Sequence, residues 1–136
     1  MAATLYPAGG ALSFEELQAA QGIDVELVDD GSSYEELFSA EKGLVSVQHT
    51  LTLCAERSVA MPWLDAEFLT RCTVEGVVAH ISEANGSELW VGWSEKFGFE
   101  QALRLERMTY LSGHTPHETP HIVLKLTSKD VESAIV

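Results

Sequence analysis

The stretch LVSVQHTLTLCAE, residues 44–56, restricts the fold more than any other part of the chain. Val45, Val47, His49, Leu51 and Leu53 fall on one side of an extended chain, with Ser46, Gln48, Thr50, Thr52 and Cys54 on the other. Side chains alternate between faces only in a strand, so this run predicts a long β-strand with one buried face. It also places His49 on the apolar side. A histidine there is expected to be a core residue with a satisfied ring nitrogen. A catalytic role would require a nucleophile or a carboxylate aimed at it, and no neighbour in sequence supplies one.

Strand signals continue downstream. TVEGVVAHISEANGSELWVGWSE, residues 73–95, carries Asn85-Gly86 between two strand-like runs. Asn-Gly supplies the positive φ angles of a two-residue hairpin turn. That turn pairs Ala84 with Ser87, and therefore Ile81 with Trp90, His80 with Val91 and Val78 with Trp93. Both faces of such a hairpin are largely apolar, so each needs a cover. The cover is core packing or a partner subunit, and Trp90, Trp93, Val91 and Ile81 are the candidate interface residues, with Tyr110 further on. Glu83 would face Glu88 across the turn in mild repulsion.

KFGFEQALRLERMTYLSG, residues 96–113, has helix formers in its middle but also an alternation of Leu103, Leu105, Thr109 and Leu111. A strand is favoured because HIVLKLTS, residues 121–128, follows as another. PWLDAEFLTRC reads as a short helix from Pro62, with acids early and Arg71 late, and Trp63, Phe68 and Leu69 against the sheet.

The first third differs. Residues 1–41 hold nine acidic side chains and no Lys or Arg, whereas 42–136 hold twelve acidic and eight basic, so −9 of the net −13 lies at the front. Clustered cations for phosphate or an anionic membrane are lacking, which disfavours both partners. Residues 1–12 suggest an extended arm. SFEELQAAQG (13–22) and SYEELFSAEKG (33–43) each carry a capping-box pattern and predict short helices, although the second also suits an extended entry into the next strand. IDVELV (23–28) alternates as a short strand. No apolar run reaches the ~18 residues of a membrane span, and the N-terminus has no basic, apolar leader, so a soluble cytoplasmic chain is expected. Cys54 and Cys72 fit buried thiols, with a single bridge left open.

The segment HTPHETPH raises the question of metal. His114, His117 and His121 lie close in sequence, but Pro116 and Pro120 prevent a helix and no regular conformation gathers all three. A stiff polar loop is favoured over a metal site, and no cofactor is expected. A small metal-dependent enzyme or binder using those histidines, perhaps joined by His49 or His80, is the rival reading. A second rival is an acidic adaptor for a basic protein.

The expected architecture is one domain of the α+β class, mainly antiparallel β. It would be a sheet or partly closed barrel or sandwich with two or three short helices, an acidic arm or helical region over 1–43, and a β core over 44–130. VQHTLTL (47–53), GVVAHISEANGSELWVGWSEKFGFEQALRL (76–105) and YLSGHTPHETPHIVLKLTSKD (110–130) together resemble small β-rich proteins of tailed-phage and prophage structural gene clusters. The resemblance implies a tail or neck subunit that forms rings with itself and other structural proteins through strand addition and loop exchange. It implies residence in the cytoplasm before assembly and in a particle afterwards, and transfers no catalytic residue. An acidic surface lining a lumen would repel DNA, as a conduit requires. Residues 1–41 fall outside the resemblance.

Overall fold

The long alternating run becomes β4, Leu44–Glu56, a central strand of a four-stranded antiparallel sheet. In this computed structural model the described residues are 2–7, 15, 22–25, 32–56, 64–83, 85–92, 102–112 and 120–130. β4 lies between β3 (Ser33–Glu41) and β8 (His121–Asp130), and β7 (Arg104–Leu111) completes the order β3-β4-β8-β7. A second antiparallel sheet has the order β2-β1-β5-β6, built from β1 (Ala2–Pro7), β2 (Ile23–Val25), β5 (Val77–Ser82) and β6 (Glu88–Val91). The fold is sandwich-like and mainly β, and the sheets do not close into a barrel.

Its core is formed by the inner faces of both sheets. Leu5, Ala79, Ile81 and Val91 from one sheet join Leu51, Leu53, Leu124 and Leu126 from the other in a single buried cluster. The buried face of β4 is the one its alternation specifies: Val47, His49, Leu51 and Leu53 are all buried. Burying a large aliphatic side chain contributes roughly 1.5–3 kcal/mol, so these rows dominate the stability.

Among the described residues the one helix with a defined span is α1, Ala66–Val74. Its cap is Asp65, whose Oδ1 accepts the Phe68 amide at 2.8 Å, so the helix starts later than Pro62 suggests. Phe68 and Cys72 enter the core, and Arg71 stands in the last turn. No helix among the described residues is long and apolar enough to cross a membrane. Cys54 and Cys72 are free and buried, which excludes the bridge.

At one corner the sheets exchange strands. β6 stops at Val91, and Gly92 (φ 98°) turns away. Leu103 then takes the position beside Val77, exchanging amide hydrogen bonds of 2.7 and 2.9 Å. A Cβ on Gly92 would lie 2.9 Å from the Val77 carbonyl oxygen, so this corner admits no side chain there.

Four expectations are corrected. First, residues 33–41 are a strand, with no helix: Lys42 (φ 52°) and Gly43 (φ 79°) make a two-residue hairpin that pairs Glu41 with Leu44. Those two positive φ angles are what such a hairpin requires, and the ladder with β4 overrides the capping pattern. Second, residues 2–7 of the N-terminal arm are an integral strand, because β1 pairs on both sides and Leu5 is fully buried. Of the helix expected over 13–22, only Glu15, helical and exposed, and Gly22 lie among the described residues.

Third, the β5–β6 register is displaced by one residue. Ile81 faces Leu89, His80 faces Trp90 and Ala79 faces Val91. Glu83 donates its amide to the Ser87 carbonyl at 2.8 Å and accepts from the Gly86 amide at 3.0 Å. Gly86 (φ 90°) therefore closes a three-residue loop in place of the two-residue turn. Fourth, 104–111 is a strand as favoured, but its pairing skips a residue between Leu105 and Arg107. This bulge reverses the alternation after it, so Met108 and Tyr110 share a face with Leu105, opposite Leu124 and Ile122.

Candidate association surface

The residues expected at an interface separate once folded. Ile81 and Val91 are 0% and 1% exposed, so both belong to the core and offer nothing to a partner. The register displacement explains this, since it places Leu89 and Val91 with Ala79 and Ile81 on the inner face. Trp90 stands on the outer face, half-buried, stacked on His80 with ring centroids 4.4 Å apart and tilted against Tyr6 at 5.5 Å. Tyr110 is 47% exposed on the edge strand β7. Trp93 lies outside the described residues.

Among the described residues the β3–β4 hairpin gathers the most exposed apolar side chains, with Val74, Met108 and Tyr110 exposed elsewhere. Leu37 is 62% exposed, Phe38 58% and Leu44 76%, with Val45 beside them. The cause is geometric. The described part of β8 pairs with β4 as far as Val47, so among the described strands Leu44, Val45 and Ser46 pair with β3 alone. The hairpin projects past the described part of the rest of its sheet. Ser39, Glu41, Lys42, Leu44 and Ser46 border a recess of about 310 Å³ on one side of its tip. The hydropathy pattern did not mark this region, because Leu37-Phe38 are adjacent in SYEELFSAE and so fit no single face. The signal available was the Lys-Gly pair before a strong strand.

Where the hairpin meets the body, three polar side chains fix it. Glu36 is directly opposite His49 in the β3–β4 ladder. Tyr34 Oη donates to Glu36 Oε1 at 3.0 Å and lies 2.6 Å from His49 Nδ1. With the phenol proton on Glu36, Nδ1–H of His49 donates to the Tyr34 oxygen, which orders the chain His49–Tyr34–Glu36. The two rings are nearly parallel, 14° apart. His49 Nδ1 is also 3.4 Å from Glu36 Oε1. Burial pushes the Tyr34 phenol well above its ordinary pKa, and the Glu36 charge adds to that, so the hydroxyl stays a donor. His49 is therefore a core histidine with its Nδ1 satisfied, and the group ties two strands together.

His80 and Glu88 approach on the other sheet, with Nε2 to Oε2 at 3.7 Å, beyond hydrogen-bond length. No hydrogen bond reaches that buried Nε2 from any described group. In the histidine loop, His121 begins β8 opposite Leu111 and Glu56, while His114 and His117 lie outside the described residues. Among the described residues no three His, Cys, Asp or Glu side chains converge as metal ligands.

No protein-family model and no curated protein matches the chain.

Proposed function

We propose that this chain is a non-enzymatic structural subunit that works by associating with copies of itself, as subunits of phage-like tails and necks do. One observation carries the proposal. Among the described strands β3 is a nine-residue edge strand that exposes Leu37 and Phe38 and contains neither Pro nor Lys, so that its protection against pairing rests on Glu35, Glu36 and Glu41 alone. Among the described residues the other edges contrast with it: β2 has three residues, β6 has four, and β7 is bulged. Long edges recruit strands through main-chain hydrogen bonds, with side-chain pockets setting register.

The charge works against association, because each copy carries a formal −13. Contacts between copies must therefore be apolar and main-chain in origin, and screening by salt will strengthen them. The same acidity, turned toward a lumen, would keep passing DNA from adhering. The resemblance noted in the sequence supports placing the subunit in the cytoplasm before assembly and in a particle afterwards, among other structural proteins.

The test is light scattering with electron imaging of purified protein across a concentration series, at low and high salt. Rings, tubes or defined oligomers that grow with salt agree with the proposal. A strict monomer at millimolar concentration in both salts contradicts it.

A further inference from the structure

We infer that two copies pair antiparallel along β3, with the two-fold axis at Leu37, so that their β3-β4-β8-β7 sheets become one continuous sheet. This rests on the reading that the chain works by association, and it names the edge and the register.

The Lys42-Gly43 hairpin fixes which main-chain groups are available. The pair flanking a two-residue turn, Glu41 and Leu44, exchanges hydrogen bonds, and such pairs alternate along the ladder. The amides and carbonyls of the odd-numbered residues of β3 therefore point to β4, and those of residues such as Phe38 and Ala40 point outward. Among the described strands none pairs with this edge, and the side chains of Leu37–Glu41 are exposed.

A two-fold antiparallel pairing must bring outward-pointing residues opposite outward-pointing ones, so the axis passes through a residue rather than between two. Three centres are reasonable. An axis at Phe38 sets Glu35 against Glu41 of the second copy. An axis at Glu36 sets that carboxylate beside its own symmetry mate. An axis at Leu37 does neither: Glu35 faces Ser39, Glu41 faces Ser33, and Leu37 faces Leu37. Like charges opposite one another destabilise a sheet, and apolar pairs stabilise it. The centre at Leu37 is also the one that pairs all nine residues of the strand. The strand is thus self-complementary in length, hydrogen-bond phase and charge at one register. A closed two-fold interface has the same requirement, since each residue must suit its own copy's counterpart.

Cysteine crosslinking tests the register. With the axis at Leu37, the two Leu37 Cα atoms form a non-hydrogen-bonded pair about 4.5 Å apart. That is within disulfide range. The two Ser39 Cα atoms would be roughly 14 Å apart along the strands. Full-length Leu37→Cys protein, oxidised at a concentration where scattering detects oligomers, is expected to give a covalent dimer, and Ser39→Cys to remain at least tenfold less crosslinked. The native thiols Cys54 and Cys72 are buried and supply the background measured in the unsubstituted protein. Equal crosslinking of the two variants, or none from Leu37→Cys, overturns this pairing. If none forms while the unsubstituted protein still assembles, the pairing is wrong and association proceeds by another surface. If the unsubstituted protein is also monomeric throughout, the broader proposal falls with it.

Discussion

The two hairpins with glycine turns make opposite use of their apolar residues. β5–β6 carries the stronger turn signal, Asn85-Gly86, yet forms a three-residue loop and sinks Ile81, Leu89 and Val91 into the core. β3–β4 carries the weaker signal, Lys42-Gly43, yet forms the two-residue turn and leaves Leu37, Phe38 and Leu44 exposed. The difference shows that an apolar hairpin is a partner-seeking surface only where its own sheet stops covering it. β5 has β1 on one side and β6 on the other, with the second sheet against its inner face. The tip of β4 extends beyond the described part of β8 and has β3 as its single described neighbour.

That contrast can be broken most forcefully in the core. Ile81→Ala is expected to lower the unfolding free energy by about 2–5 kcal/mol, measured by urea denaturation, because it empties a site with no access to solvent. A loss below about 1 kcal/mol would mean that β5 is not core. The sheet corner comes next. Gly92→Ala is expected to cost about 1–3 kcal/mol, since it combines a strained positive φ with a Cβ pressed on the Val77 carbonyl. Gly43→Ala meets open space and is expected to cost less, from φ strain alone, so equal losses in thermal melts would refute the packing at the corner.

The polar tie at the base of the β3–β4 hairpin predicts a smaller effect with a distinctive pH signature. Tyr34→Phe removes the hydroxyl between His49 and Glu36 and is expected to cost about 1 kcal/mol near neutrality. The folded-state pKa of Tyr34 is raised, so its contribution is fully present below the ordinary tyrosine value of about 10 and is lost as pH climbs above it. Urea midpoints followed from pH 8 to 11 should fall less steeply in the Phe variant. Parallel slopes would show that the phenol ionises as freely as in the unfolded chain. The smallest effect belongs to the hairpin tip, where Leu44→Ala is expected to change stability by no more than about 0.5 kcal/mol. A loss of 2 kcal/mol there would mean that the tip is packed within one copy.

Much of the architecture was legible in the sequence, and the failures have physical causes. β4 could be read residue by residue, because alternation over a long strand leaves no second interpretation, and His49 followed as a buried, hydrogen-bonded residue. β8 was equally open to reading, whereas 104–111 was a choice between helix formers and alternation that the following strand tipped toward β. Three other features were not. SYEELFSAE looked helical because Ser33 and Glu36 satisfy a capping pattern, and only its ladder with β4 decides otherwise. The one-residue displacement at Asn85-Gly86 moved Val91 from the expected surface to the core, since a period of two turns any slip into a change of face. The bulge after Leu105 did the same to Met108 and Tyr110. The association surface was missed for a different reason. Which strand ends at an edge, and how far a neighbour covers it, depends on sheet order, and sheet order is a property of pairings distant in sequence.

The claim on which the account turns is that β3 holds the chain's unmet capacity for pairing. Amide hydrogen exchange, followed residue by residue at low and high protein concentration, tests it directly. The account predicts that the outward amides of Phe38 and Ala40 gain protection as oligomers form, while amides of β6 do not change. Oligomers forming with Phe38 and Ala40 still exchanging at their low-concentration rates would contradict it.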